Sequence, residues 1–490
     1  RTLHTVGALM IFVAAAMFLV VGVTLYYGDG DTWAFVVSGA ITLGLGLLLF
    51  LPTKPQGEVS PLEGYAIVTA GWVGMAAVGA LPFLLSGATD SPVAAFFESI
   101  SGFTTTGATI FTEIESLPHG ILFWRSLTHW IGGMGIIVLA IAILPFLGVG
   151  GMQLFKAEVP GPTPDRLRPR ITQTAKLLWY VYVGITAVQI MLYVMAGMGW
   201  FDAVNHAFAT LATGGFSTRN ASIGAFESPA IQWITILFMY LAGVNFALHF
   251  QTVTGRLAYF KDAEWRFFTA LALGAGVAVA VVNLVAGAHA PDPPGVEAAL
   301  REGLFQATSI VTTTGFVSAD FEGWVMPAQG ILFLLLFTGG MAGSTGGGIK
   351  SLRVMLMLAH VRNELKKLLH PRAVVLARVG RKVVSEDVMA NVLGFVILYA
   401  LIFMAATMVL TLFGIDLLTA IGASAATVGN IGPGLGAVGA ADNYGWMSEP
   451  VLGFLSFLML VGRLEIYTVL LLFSPDLWRR SRNQAHRVTS

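Results

Sequence analysis

The sequence predicts an all-α membrane protein: ten transmembrane helices with four shorter re-entrant helices, built as four copies of one helix–loop–helix unit around one pore. Three observations carry this. The 490 residues are 56% hydrophobic and only 11% charged, with a mean hydropathy of +0.77, whereas a soluble domain carries ~25% charged residues. Ten apolar stretches reach the ~20 residues that a spanning helix needs. Finally, the turn Thr104-Thr105-Thr106-Gly107 recurs as Thr312-Thr313-Thr314-Gly315, more loosely as Ala212-Thr213-Gly214-Gly215, and most loosely around Asn430-Ile431-Gly432. The glycines stand 108, 100 and 117 residues apart, a period that suits a repeated domain rather than a solenoid of ~20–50 residues.

The ten stretches are 6–27, 33–52, 64–86, 119–147, 173–198, 229–254, 266–288, 328–358, 388–413 and 450–473. The first is too long for a signal peptide and lacks a small-residue cleavage site, so it reads as a spanning helix; a chain starting at Arg1 without methionine reads as trimmed. Four shorter amphipathic segments, 91–103, 201–212, 297–311 and 416–427, precede the four turns. Asp90, Asp202, Glu297 and Asp416 are placed to cap them. A short helix and a non-helical return at membrane depth are tolerated only where they line a cavity walled by protein or filled with water. The organisation that follows is two leading helices in 1–62, four repeats in 63–150, 151–260, 261–384 and 385–475, and a tail, 476–490.

Charge orients the chain. With both termini cytoplasmic, all but four of the 27 lysines and arginines (Arg125, Arg219, Arg301 and Arg463) fall in or beside cytoplasmic segments, as the positive-inside rule requires. The opposite side carries Asp29, Asp31, Asp90, Glu113, Glu115, Asp320, Glu322, Asp442 and Glu449, an acidic rim that concentrates cations near the turns. Zero formal net charge gives no field toward nucleic acid. The absence of cysteine excludes disulfides and thiolate metal sites. Histidines are scattered without ligand spacing and no nucleophile–base motif occurs, so an enzyme is not expected.

Thr-Gly turns suit a dehydrated alkali cation. Backbone carbonyls and Thr hydroxyls supply hard oxygens without a formal charge that would trap the ion, and glycine lets four segments crowd together. Isolated Thr/Gly clusters are ordinary loop punctuation; four copies, each after a short amphipathic run between long apolar stretches, are not.

The runs Ser99-Ile-Ser-Gly-Phe-Thr-Thr-Thr-Gly-Ala-Thr109, Ala212-Thr-Gly-Gly-Phe-Ser-Thr218, Thr312-Thr-Thr-Gly-Phe316, Asn430-Ile-Gly-Pro-Gly-Leu-Gly436 and Gly462-Arg-Leu-Glu-Ile-Tyr467 together resemble the Trk/Ktr/HKT superfamily of cation transporters, most closely its bacterial TrkH branch, over nearly the whole chain. The resemblance implies four potassium-channel-like helix–pore loop–helix repeats around one pore, a homodimer in the bacterial cytoplasmic membrane, and cytosolic TrkA-type regulatory subunits that bind the nucleotide, so that none binds this chain. It also implies K+ as the transported ion, with a filter of Thr105, Thr106, Gly107, Ala108, Thr213, Gly214, Gly215, Phe216, Thr313, Thr314, Gly315, Phe316, Asn430, Ile431 and Gly432. Glycine rather than serine at 107 implies a preference for potassium over sodium. In the fourth copy Val428-Gly429 looks more like an isolated channel filter, whereas Asn430-Ile431-Gly432 fits the TrkH pattern better.

Two further features read as a gate. Stretch 328–358 would be about 46 Å long as one helix, against a ~30 Å membrane core. Its middle holds Gly339, Gly340, Gly343, Gly346, Gly347 and Gly348, and each interior glycine costs a helix ~1 kcal/mol. The segment is expected to break into a loop at membrane depth just inside the third turn. No strand precedes it and Ile349 displaces Lys350 from the phosphate-binding position, so it is not a nucleotide loop. In TrkH-like proteins the matching loop obstructs the pore. Arg463 lies near the middle of the last apolar stretch, where an arginine costs about 2.5–3.5 kcal/mol on insertion scales. It reads as a pore-facing cation, or as half of a buried pair with a neighbouring helix. The basic segment Lys350–Lys382, with Lys366, Lys367 and Arg372, is the expected docking surface for a cytosolic partner, although topogenic charge explains much of it. Three functions compete: a channel-like potassium uptake subunit, a symporter coupled to Na+ or H+, and a membrane scaffold without transport.

Overall fold

The computed structural model describes residues 1–53, 61–142, 167–255, 258–287, 295–371, 378–380 and 382–473. Arg372, the tail 476–490, most of the 148–172 segment and the inner end of the fourth expected span lie outside the described residues.

Two antiparallel helices lead, α1 (Thr2–Tyr27) and α2 (Thr32–Phe50), turning at Gly28. They approach closely where Gly7 faces the Gly46 carbonyl, the small-residue contact by which apolar helices pack without a hydrophobic driving force. The first unit follows: α3 (Pro61–Gly79) with the short α4 (Leu81–Leu85), then α5 (Pro92–Phe103) and α6 (His119–Ala142). The second comprises α7 (Leu167–Met195), α8 (Trp200–Leu211), α9 (Pro229–Gly243) and α10 (Phe246–Val253). The third has α11 (Ala263–Gly287), α12 (Val296–Val311), α13 (Met326–Leu335) and α14 (Ser351–Leu369), followed by a two-residue hairpin of β1 (Arg378–Val379) and β2 (Lys382–Val383). The fourth has α15 (Glu386–Leu412), α16 (Leu417–Gly429), α17 (Glu449–Arg463) and α18 (Tyr467–Leu472).

Among the described residues, six helices are long and apolar enough to cross a membrane, and a seventh span arises if α9 and α10 count as one. Three of the ten stretches are broken: 328–358, as its glycines lead one to expect, and 229–254 and 450–473, which the sequence predicts to be continuous. The stretch 229–254 bends by 102° between α9 and α10, where the Asn245 side chain accepts from Ala247 N at 2.8 Å and starts a new helix. The stretch 328–358 stops at Leu335 and restarts at Ser351, with the glycine-rich segment between. The stretch 450–473 breaks after Arg463, where Glu465 and Ile466 take φ of 60° and 43°. Arg463 is therefore the last residue of a helix and not the middle of one.

The short helices α5, α8, α12 and α16 each pack on helices of their own unit; α8 also packs on α6, α12 on α9, and α5 on α17. The last contact brings the fourth unit back to the first, so the four follow one another in a ring. Of the expected caps only Asp416 acts, accepting from Thr419 N at 3.0 Å. Ser91 caps α5. Asp202 instead binds Thr218 and Arg219, and Glu297 binds Arg301 and Trp233.

Candidate functional site

All four short helices end in one motif. The amides of Thr105, Thr213, Thr313 and Asn430 reach back three residues, and those of Thr106, Gly214, Thr314 and Ile431 reach back five, to Ser101, Ala209, Ser309 and Ala426 at 2.8–2.9 Å. This is the double bond of a Schellman cap, which needs a left-handed residue between. Glycine usually fills that place; here it is Thr105, Thr213, Thr313 and Asn430, with φ of 52°, 54°, 57° and 53°. A β-branched residue there is an outlier, costing on the order of 1–3 kcal/mol and held only where its surroundings over-determine it. The same left-handed threonine recurs in three of the four turns.

Two residues on, Gly107, Gly215, Gly315 and Gly432 take φ of 82°, 82°, 79° and 95°. Gly429 is helical, so Gly432 is the equivalent of the other three. A side chain on Gly107 would run into the carbonyl oxygen of Gly214, one on Gly215 into that of Thr314, one on Gly315 into that of Ile431, and one on Gly432 into that of Thr106, each less than 3.0 Å from Cβ. Each glycine thus lies on the carbonyl that precedes the next glycine, and the fourth closes on the first. Only glycine meets both demands, a positive φ and this approach. Around the ring Thr104 and Thr106 pair through their hydroxyls at 2.7 Å, as do Thr312 and Thr314, and Asn430 Nδ2 donates to Thr106 Oγ1 at 3.0 Å. Ala108, Phe216 and Phe316 are buried behind it.

The protein belongs to the TrkH family of cation transport proteins. Residues 33–480 match the family described as "TrkH: Cation transport protein". The chain is 42% identical to the Trk system potassium uptake protein TrkH of Salmonella typhimurium, covering 97% of this chain and 98% of that one. It is likewise 42% identical to TrkH of Halomonas elongata, over 98% and 99% of the two chains. The crystal structure of the potassium transporter TrkH from Vibrio parahaemolyticus superposes with a TM-score of 0.89 at 38% identity, over 97% of this chain and 98% of that one.

In this TrkH-family chain the glycine-rich segment lies across the C-terminal ends of three short helices. Gly346 and Gly347 face the carbonyls of Thr312 and Gly429. Gly347 N donates to Thr313 Oγ1 at 2.6 Å, and Thr345 Oγ1 lies 3.0 Å from Leu211 O and 3.2 Å from Ala242 O. Met341 N donates to Gly243 O, and Phe246 N to Gly343 O, at the α9–α10 bend. Arg463 Nη1 donates to Thr345 O at 2.8 Å; its Nε and Nη2 have no hydrogen-bond partner among the described residues. Arg463 and the loop, separated by more than 100 residues, are one contact. The expected buried pair belongs instead to Glu465 and Arg353, and Arg353 stacks over Phe395 at 3.8 Å.

Several residues at the site are not evident from the turns alone. Glu98, His206 and Gln306 each stand seven residues before the left-handed position, and each reaches the segment leaving its own turn. Glu98 accepts from Ile110 N at 2.9 Å and Arg125 Nε at 2.8 Å. His206 Nε2 lies 2.8 Å from Ser217 Oγ, and Gln306 Nε2 donates to Ala319 O at 3.1 Å. Superposing the copies on their glycines would have revealed this spacing. Arg125, buried with Glu98, also donates to Ser217 O at 3.0 Å and lies 4.1 Å over the Phe216 ring, so one ion pair ties the first turn to the second. In the loop that follows the third turn, Glu322 accepts from Gly436 N at 2.7 Å, joining the third unit to the fourth; burial, then Asp442 and Asp320, push its carboxyl upward. Glu264 is the counterpart beneath the ring: one carboxylate oxygen accepts from Ala342 N at 2.7 Å and Ser351 Oγ at 2.9 Å, near either end of the glycine-rich segment.

Proposed function

We propose that this chain takes up potassium across the bacterial cytoplasmic membrane by channel-like permeation through the four-turn ring. The observation that carries the reading is the ring itself, in which four glycines each lie on the carbonyl that precedes the next. Such a ring presents several uncharged oxygens at one depth, which is what replaces the hydration shell of an alkali cation. Thr105, Thr106 and Gly107, Thr213 to Gly215, Thr313 to Gly315, and Asn430 to Gly432 form the filter, at the junctions of four repeats within 63–150, 151–260, 261–384 and 385–475. The ten-span topology stands if α9–α10, α13–α14 and α17–α18 are each one broken span and α5, α8, α12 and α16 re-enter from the outside.

The Gly339–Gly348 loop and Arg463 are the barrier. Their support is position: the loop crosses the inner ends of α8, α12 and α16, and the guanidinium is bonded to it. Two unit charges ~4 Å apart repel by about 4 kcal/mol at an effective dielectric of ~20, enough to slow a cation strongly. The protein acts as a homodimer and is regulated by TrkA-type nucleotide-binding subunits docking on the basic cytoplasmic face of α14. Reversal potentials in liposomes under separately imposed K+, Na+ and H+ gradients test the proposal. A potential that follows K+ alone is expected; one that shifts with Na+ or H+ at fixed K+ identifies a coupled symporter, and no K+-dependent current sinks the transport reading.

A further inference from the structure

The four turns are alike in backbone but not in what lies behind them. In the residue before the ring glycine, the first and third copies carry Thr106 and Thr314, each paired with a second hydroxyl, and the fourth carries Ile431, fully buried. The second copy carries Gly214, with Ala212 where the first and third have Thr104 and Thr312. It has no side chain of its own to fill that space, and the Gly214 carbonyl is the one on which Gly107 lies.

The space is filled from another unit. His129 of α6 is fully buried, and its Nδ1, Cγ and Cε1 occupy the position where a Gly214 side chain would begin. Its ring stacks on Phe216, the residue after the ring glycine, with centroids 4.1 Å apart and planes 11° from parallel. One turn further along α6, Gly132 faces the Phe103 carbonyl and Gly133 faces Ala212, so that α6 is wedged between the ends of α5 and α8 and its register is fixed. Gly214 is outside the left-handed region; its backbone would accept a side chain, and the nearest atoms that one would meet are those of the imidazole.

We propose that His129 is a specificity-determining positioning residue, which replaces the side chain missing from the second turn and holds the Gly214 carbonyl in the ion-facing set. Without the ring, a peptide at glycine is free to rotate, and a carbonyl that leaves the set weakens selection among cations before it blocks their passage. The inference rests on the filter reading given above, and the experiment separates the two.

Relative K+ over Na+ permeability is measured by reversal potential in liposomes for His129→Ala, Gly214→Thr, the double variant and Gly107→Ser. The expected result is a loss of roughly three- to tenfold in the ratio for each of the first two, with K+ flux less affected. The double variant, in which threonine enters the vacated space as in the first and third copies, recovers most of the ratio. A merely structural role gives losses that add. Where His129→Ala fails to fold, Gly214→Thr approaches the same contact from the other side, and an unchanged ratio there overturns the proposal. An additive loss in the double variant overturns it as well. If Gly107→Ser shifts the ratio and His129→Ala does not, the failure is that of His129 alone; if neither shifts it, the filter reading has failed first.

Discussion

The four turns and the Gly339–Gly348 loop are both built on glycine and touch at Thr312, Thr313 and Gly429, yet they are held in opposite ways. Each turn is held by the helix that leads into it, through the same two backbone bonds, and by the carbonyl of the next turn. Its shape is local and is repeated four times. The loop has no such internal pattern. Besides local bonds such as Ser344 N to Met341 O and Ser351 N to Gly340 O, it is anchored by residues of other elements: Gly243, Glu264, Thr313 and Arg463. The shape of a turn is therefore hard to change without damaging the protein, whereas that of the loop can be released one contact at a time. That is the division expected if the ring selects and the loop regulates rate.

The comparison is broken most severely at the support of the ring. Glu98 and Arg125 are a fully buried pair, and removing one partner strands the other charge, at about 3–5 kcal/mol. Glu98→Ala is expected to lower the unfolding temperature of the purified protein markedly; a shift within the error of a thermal melt would mean that the pair does not hold the first two turns together. On the loop side, Arg463→Ala is expected to raise K+ flux by more than tenfold with the ion preference retained, since a repulsion of ~4 kcal/mol is removed and a tenfold change needs only about a third of it. A rate assay in liposomes containing the purified chain decides it. Glu264→Gln is the smaller change of the same kind. It replaces the carboxyl that holds Ala342 N and Ser351 Oγ by a neutral amide of the same shape and should raise flux about fivefold or less, with thermal stability nearly unchanged; flux equal to that of the parent protein would remove Glu264 as a restraint on the loop. The smallest effect is expected at Lys366 and Lys367 on α14. Neutralising both should weaken binding of a TrkA-type partner and leave the flux of the isolated chain alone; equal partner affinity before and after would place the docking surface elsewhere.

The turns were legible in the sequence because their chemistry is carried by residue identity: a Thr, or in the fourth copy Asn430, two places before a Gly, after a short amphipathic run. The glycine-rich break was legible for the same reason, since six glycines in ten positions cannot sustain a helix. The bends at Val244–Asn245 and after Arg463 were not. Hydropathy runs through both, and a φ of 43° at Ile466 leaves no trace in composition. Glu98, His206 and Gln306 lay within reach of a spacing argument, seven residues before the left-handed position of the first three turns. His129 and Glu264 did not, because what defines them is the space left by a glycine and the two ends of a loop in another part of the chain. Arg463 stood out as an apolar-helix arginine, but only tertiary structure reveals Thr345 as its partner.

The central claim is that selection and rate reside in separate parts of the chain, and one paired measurement tests it. Relative K+ over Na+ permeability and absolute K+ flux are recorded in the same liposome preparation for the parent protein, Gly107→Ser and Arg463→Ala. The serine places a Cβ against the Gly214 carbonyl at a φ that disfavours side chains, so it should lower the permeability ratio more than the flux. The alanine should raise the flux and leave the ratio as it was. Two variants that move both quantities together, or a Gly107→Ser protein with an unchanged ratio, would contradict the account.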